Sequence, residues 1–358
     1  MTGALEGLLI VETAEPPCGE YTAKLLADFG AQVIKVERPG GAPTRRMAPV
    51  RGGESAVFAY FNTNKRSVVL DLDAPADRAA LDRLLERAHA LIDDHDEAWG
   101  AAHGLGSAQI AAAHPHLVHC IVTPFGQGAP AQWQNARPIN VINAGGWAYH
   151  SPSEMPPEKP PLKGAGRFLS DYEAGIDAAL CVMASLHRQR GAAGKGGRSG
   201  QFIDISEVEV QLNRIDCVLA GEAEPSRERT AYDMGGPGTS FACKDGHIYI
   251  FMTTKAHWNA LCDLMGSPAW AKTLREDWLE FDCTKPNVAF FRENFTRWIA
   301  GQDKMPITEA AQKAGVAMVP VNTAADLPKN EQFLHRGFFQ KGSHPAFGEV
   351  LYPTAPYR

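Results

Sequence analysis

The sequence predicts an α/β protein: an open, Rossmann-like parallel sheet domain followed by a smaller α+β domain. Three observations carry this. Short, wholly apolar runs such as Leu8-Leu9-Ile10-Val11 recur, as strands buried on both faces require. Several are joined through stretches of helical spacing with short connections, the pattern of right-handed parallel units. Beyond about Thr239 a hairpin signal and amphipathic helices replace that alternation.

Taken in order, Leu8–Val11 is the first strand, and Tyr21–Phe29 follows as a helix whose Leu25, Leu26 and Phe29 form one apolar stripe. Gly30 is its C-terminal cap, and Val33-Ile34-Lys35-Val36 is the second strand. Val68–Leu72, Ala90–Ile92 and Val118–Val122 read as further strands, with helices at Asp77–Ala88 and Ser107–Ala113 between them. From Thr123 to Gly166, Pro, Gly and Asn dominate, as in loops over a surface or site. Ala174–Arg190 is the strongest helix, and Gln201–Ile205 alternates like a strand. In the second part, Phe241–Phe251 reads as a hairpin turning at Asp245-Gly246. Helices are predicted at Lys255–Met265, Val288–Ala300 and Ile307–Ala314, with short strands at Val319–Val321 and Val350–Tyr352. The expected organisation is a large domain over residues 1–222, a small domain over 223–330, and a C-terminal segment, 331–358, returning toward the large domain.

Composition narrows the function. The 358 residues carry a net charge of -6, which gives no basic field for nucleic acid. No apolar run is long enough to span a bilayer, and no secretory leader is expected. The seven cysteines are irregularly spaced, without Cys-x-x-Cys, which fits a reducing cytoplasm and no zinc site. The twelve histidines are scattered, and the closest pair, His114 and His116, flanks a proline, so no metal is expected. The turn after Val11 lacks Gly-x-Gly-x-x-Gly, and neither a Walker A sequence nor Gly-x-Ser-x-Gly occurs.

The segment Leu169-Ser170-Asp171-Tyr172-Glu173-Ala174-Gly175 is the most informative. Ser170 and Glu173 have the spacing of a capping box, which puts Asp171 in a first turn where the helix dipole favours a carboxylate. That reading needs no catalysis; the alternative is a carboxylate nucleophile. Gly175 is a weak helix former in the second turn, which suits close approach of another backbone or a ligand. The basic residues Lys35, Arg38, Arg45, Arg46, Lys65 and Arg66 form either a solvated face or a phosphate grip.

Ordered motifs from Leu5 to Tyr352 resemble the class III CoA-transferase family. This is the CaiB/BaiF type, whose relatives include formyl-CoA transferase, α-methylacyl-CoA racemase and carnitine-pathway enzymes. The matching pieces are Gly7–Glu12, Leu25–Gly40, Phe61–Leu72, Phe125–Pro130, Asp171-x-x-x-Gly175 and Gly315–Asn322. The resemblance implies a two-domain protomer in an interlocked homodimer, a heteromer with a paralogue being the alternative. It implies transfer of CoA from an acyl-CoA thioester to a free carboxylic acid, with Asp171 as the covalent nucleophile. By the same resemblance, Arg38, Asn64, Lys65 and Arg66 would contact the adenine and phosphates of CoA. The Gly235-Gly236-Pro237-Gly238 loop would cover the site, and the glycines Gly235, Gly236 and Gly238 would give it mobility. The racemase branch carries a catalytic His where this chain has Arg137, so racemisation is disfavoured and Arg137 is expected to clamp a carboxylate. The family's usual Glu-Asn-Phe-Arg-Pro-Gly segment is replaced by Asp94-His95-Asp96-Glu97-Ala98-Trp99, whose acids are expected to repel CoA phosphates. Two rival readings stay open: another acyl-CoA reaction on the same fold, and a degenerate subunit that partners a catalytic paralogue.

Overall fold

The computed structural model describes residues 3–146, 167–192, 199–214 and 236–357. The chain divides into two compact units, Met1–Ala220 with Lys341–Arg358, and Gly221–Gln340. Among the described residues no helix is long and apolar enough to cross a membrane.

The first unit opens with β1 (Leu9–Glu12), α1 (Pro17–Asp28) and β2 (Gln32–Glu37). A small hairpin, β3 (Val50–Arg51) and β4 (Glu54–Ser55), leads into α2 (Ala56–Phe61), β5 (Arg66–Val69) and α3 (Pro75–Leu85). Then come β6 (Ala90–Asp93), α4 (Glu97–His103), α5 (Ser107–Ala113) and β7 (Val118–Thr123). The unit continues through α6 (Pro138–Ala144), α7 (Leu169–Ala192), β8 (Gln201–Ser206) and α8 (Glu207–Asn213).

Six strands form one parallel sheet in the order β5-β2-β1-β6-β7-β8. Ile10 aligns with Val33 on one side and Ala90 on the other. The chain therefore winds outward in both directions from β1. Its order reverses between β1 and β6, where sheets of this kind open a crevice beyond the strand C-termini. Alternate side chains enter two cores. Ile10, Val33, Ile92 and Cys120 pack under α1 and α7, while Val11, Val36 and Leu91 pack against Leu81, Leu85 and Ile110.

Several boundaries differ from expectation. Helix α1 begins at Pro17, four residues before Tyr21, because a proline at the first helical position spends no hydrogen bond. Strand β5 ends at Val69 rather than Leu72, because the Asp71 N–H donates to Asp77 in the first turn of α3 at 2.8 Å. The Pro-rich segment 156–161 lies outside the described residues.

In the second unit, β9 (Thr239–Cys243), β10 (Gly246–Phe251) and β11 (Ala317–Val321) form an antiparallel sheet in the order β11-β10-β9. Cys243 pairs with Gly246, so the loop is Lys244-Asp245, one residue earlier than expected. Ile248, Ile250, Trp258, Trp278, Phe291 and Phe295 fill its core.

Candidate functional site

Asp171 sits in the first turn of α7. The Tyr172 N–H donates to the Phe168 carbonyl at 2.9 Å, so the helix starts before Ser170. The expected capping box does not form, because Phe168 is locked into a ring cluster with Phe61 and Tyr172 and brings the helix start forward. Glu173 turns aside instead and accepts from Gln211 Nε2 at 2.7 Å.

The Asp171 side chain is buried, the residue being 3% exposed. Burial pushes its pKa up to about 7, against the pull of two backbone amides, its own and that of Cys18. Its Oδ2 has no hydrogen-bond partner among the described residues. Cys18 is the second residue of α1, so the free amides of two helix starts converge on one carboxylate. Gly175 makes this possible. A Cβ there would stand 3.0 Å from a Tyr21 ring carbon and 3.1 Å from the Cys18 carbonyl oxygen. The close approach allowed by that glycine is to a backbone, that of α1.

Two more carboxyls are buried close by. Glu207 is 5% exposed, and burial together with Asp171 pushes its pKa well up. The side chain of Asp94 is 4% exposed, and its Oδ2 accepts the Glu15 N–H at 2.7 Å. Burial raises the Asp94 carboxyl as well, and the thiol of Cys18, which faces Glu207, Asp171 and Asp94 together, is raised by burial and by all three.

A cleft of about 220 Å³ opens beyond the C-terminal ends of β1, β6 and β7, lined in part by Glu15, Asp94, His95, Trp99, Phe125 and Gln127. One wall is a ring column: His95 stacks on Trp99 at 3.5 Å, and Trp99 on His103 at 4.0 Å. The acidic segment at its rim is consumed by structure. Asp93 Oδ1 lies 2.6 Å from His95 Nδ1; burial opposes charge on that imidazole, but Asp93 prevails and holds its pKa at about 9. Asp96 caps α4 by accepting the Trp99 N–H at 2.8 Å. Of the segment's acids, Glu97 is exposed and Asp96 is half-buried in the wall of the cleft. Asp93, Asp94 and His95 bring potential metal-ligand atoms within 4.8 Å of one another, at the spacing of the ion pair just described.

The residues expected to grip CoA part company. Arg38 is 56% exposed and pairs with Glu15, a residue of the cleft wall, at 3.0 Å. Arg66 is exposed. Asn64, at φ 67°, donates to Asp28 at 2.9 Å. Lys65 turns inward: its ammonium pairs with Glu12 Oε2 at 2.7 Å and donates to the Glu20 carbonyl at 2.7 Å. Burial drops its pKa to about 8. Arg137 is exposed at the start of α6, where its N–H donates to Asn140 Oδ1 at 2.8 Å. Gly236 and Gly238 lie in the second unit, where the Gly236 carbonyl accepts from Arg292 at 2.8 Å. Gly235 lies outside the described residues.

The sequence grouped Lys35 with the basic residues of a solvated face or phosphate grip, and the structure corrects this: Lys35 is buried beneath α1, turned inward by carboxylates of β1 and α1. Lys35 Nζ sits 2.9 Å from Glu12 and 3.0 Å from Glu20, and donates to the Ala14 carbonyl at 2.7 Å. Thr44 Oγ1 donates to Glu20 at 2.7 Å. With Lys65 this makes a buried network that ties β1, β2 and the turn after α2 to the first turn of α1. Its signal was Lys35 itself, a charge inside an apolar strand buried on both faces.

Comparison with known proteins agrees across the chain. The family model described as CoA-transferase family III matches residues 5–358. The chain is 27% identical to succinyl-CoA:(R)-benzylsuccinate CoA-transferase subunit BbsE of Thauera aromatica, over 95% of this chain and 84% of that one. It is 26% identical to human succinyl-CoA:glutarate CoA-transferase, over 99% and 80% respectively. A crystal structure of a CaiB/BaiF family protein from Brucella suis superposes with a TM-score of 0.83 at 23% identity, covering 100% of this chain and 93% of that one.

Proposed function

The chain belongs to CoA-transferase family III, and on that premise we propose that it moves CoA from an acyl-CoA thioester to a free carboxylic acid with Asp171 as the nucleophile. The observation that carries this is the carboxylate itself. One face of Asp171 is addressed by the Cys18 amide, while its Oδ2 is buried and has no hydrogen-bond partner among the described residues. A desolvated carboxylate with a pKa near neutrality is a stronger nucleophile than a solvated one and is still ionised in part at pH 7.

The steps balance without a cofactor beyond CoA. The Asp171 carboxylate attacks the thioester carbonyl, forming a mixed anhydride and releasing CoA thiolate. The thiolate attacks the aspartyl carbonyl of the anhydride, giving an aspartyl-CoA thioester and the free donor carboxylate. The acceptor carboxylate then attacks that thioester, and the thiolate released attacks the acceptor's acyl carbon, yielding the new acyl-CoA and free Asp171. Each tetrahedral intermediate carries an oxyanion, which the amides of helix starts are suited to hold. Arg38 and Arg66, exposed in the first unit, are the proposed phosphate contacts, while Asn64 and Lys65 shape the turn that carries Arg66. Gly236 and Gly238, with Gly235, remain the proposed cover.

The names of several relatives pair succinyl-CoA with a second dicarboxylic acid. We extend that class to this chain, with the exposed guanidinium of Arg137 as the clamp for a distal carboxylate. A cytoplasmic homodimer is the proposed working form. The test is a matrix of CoA donors against dicarboxylic acceptors, with mass spectrometry of the trapped protein. Wild type should transfer CoA and carry it on Asp171. If Asp171→Ala keeps most of the rate, the mechanism is wrong.

A further inference from the structure

We propose that Asp93, Asp94 and His95, with His119 behind them, form a site for one divalent transition-metal ion of the zinc type in the wall of the cleft. The proposal is independent of the reading of Asp171.

Strand β6 ends on Asp93, and the next two residues turn into the cleft wall. Asp93 Oδ1 stands 2.6 Å from His95 Nδ1, and Asp94 Oδ1 stands 3.6 Å from the same nitrogen. One donor atom from each of the three lies within 4.8 Å of the others. A tetrahedral ion with bonds of about 2.0 Å holds its donors roughly 3.3 Å apart. His95 has then to move about 0.7 Å away from Asp93 and about 0.3 Å toward Asp94, both small adjustments. Mixed nitrogen and carboxylate donors suit zinc and its neighbours, whereas calcium and magnesium take oxygen. The carboxylates are oriented from outside the cluster: Thr13 Oγ1 donates to Asp93 Oδ1 at 2.8 Å, and the Glu15 N–H donates to Asp94 Oδ2 at 2.7 Å.

A second observation points to a cation. Asp93 Oδ2, both ring nitrogens of His119 and Thr123 Oγ1 are buried without a hydrogen-bond partner among the described residues. None of these three residues is more than 7% exposed. Leu91 aligns with His119 and Asp93 with Ile121, so on one face of the sheet His119 stands diagonally behind Asp93 and Thr123 diagonally ahead. Diagonal neighbours are roughly 7–8 Å apart, within reach of a ring side chain. A carboxylate oxygen and an imidazole nitrogen both bind a cation through lone pairs, so one ion between them answers both. Among the described residues His95 is the one ion-pair partner of either carboxyl, and a dication supplies charge that an imidazolium alone does not. The cleft gives the entry path, since Asp94, His95 and Thr123 line it. Bound there, the ion makes the cleft wall cationic and favours anionic ligands.

The test is calorimetry of metal-free protein with Zn²⁺, and visible spectroscopy with Co²⁺. Wild type should bind one Zn²⁺ per chain, and Co²⁺ should give the absorption of a four-coordinate ion that added Zn²⁺ bleaches. His95→Gln and His119→Phe should each weaken Zn²⁺ binding at least tenfold and lose the rise in melting temperature that Zn²⁺ gives the wild type. His247→Ala, which removes an exposed imidazole of the second unit, should bind as wild type does. If a histidine variant fails to fold, Asp94→Asn decides, because it keeps an acceptor for the Glu15 amide and loses the charge. No saturable Zn²⁺ binding by wild type overturns the proposal. So does binding that a folded His95→Gln, His119→Phe or Asp94→Asn protein retains, or an equal loss in His247→Ala.

Discussion

Gly175 and Cys18 are packed so closely that a methyl group on Gly175 would stand 3.1 Å from the Cys18 carbonyl oxygen. That distance is tighter than ordinary van der Waals contact, so the two helix starts are held at a separation only glycine permits. The Cys18 amide reaches Asp171 across this contact. Gly175→Ala should therefore separate effects on stability and activity. Alanine gains up to about 1 kcal/mol in helix propensity, which offsets part of the steric cost. A shift of a few tenths of an ångström between α1 and α7 still moves the amide away from the carboxylate, and misplacements of this kind lower rates steeply. We expect a melting temperature within a few degrees of wild type and a kcat at least tenfold lower. Equal kcat would show that the Cys18 amide does not matter.

The raised pKa of Asp171 makes a stability prediction with a definite sign. A carboxyl whose folded pKa lies above its unfolded value binds its proton more tightly in the native state. Stability then falls as pH rises between those two values. With a folded pKa of about 7, ionised Asp171 costs the native state on the order of 2–4 kcal/mol above neutrality. Asp171→Asn should remove this cost. Its gain in melting temperature should be largest at pH 8 and shrink toward zero as pH falls to 4. A gain of the same size at both ends would mean that desolvation is not the cause.

Much of this architecture was legible in the chain. Apolar runs at Ile10, Val33, Leu91 and Val118 are buried on both faces of the parallel sheet, and their shortness and alternation with helical spacing announced them. Asp171 could be singled out because helix starts select few residue types. What could not be read was anything supplied by backbone or by fold. The Cys18 amide leaves no trace, since any residue but proline offers the same N–H. Glu207 looks like an ordinary first-turn acid, and only the packing of α8 on α7 buries it beside Ser170. The basic residues were harder still. Arg38 and Lys65 look alike in sequence, yet one is exposed and the other is buried against Glu12. Strand direction and the turn at Asn64 decide which way each points.

The network under α1 predicts an asymmetric response. Lys35→Met removes the ammonium that bridges Glu12 and Glu20, leaving two buried carboxylates to a single remaining cation. Breaking one partner of a buried pair costs about 3–5 kcal/mol. Replacing the charges together with Lys35→Met and Glu20→Gln should recover part of that, because less uncompensated charge is left. Urea unfolding of the three proteins measures this. An additive double variant would mean that Lys35 and Glu20 are not coupled.

The acidic segment 94–97 need not repel CoA. Asp93 and Asp94 are buried, the first paired with His95 and the second bonded to the Glu15 amide. Asp96 is spent on capping α4. Glu97 is the exposed acid of the segment, and salt screens its charge. Removing the charge of Glu97 should then change the dissociation constant of CoA less than threefold at physiological ionic strength. Asp96→Ala should cost about 1 kcal/mol through the lost cap. It should also loosen the His95-Trp99-His103 column, because Trp99 supplies the capped amide and the central ring. Its effect on CoA should be a weakening, opposite in sign to the release of a repulsive charge. Calorimetry of CoA binding to both variants decides the point. Tighter binding by Asp96→Ala would show that the segment acts on CoA through its charge, and not through the helix it starts.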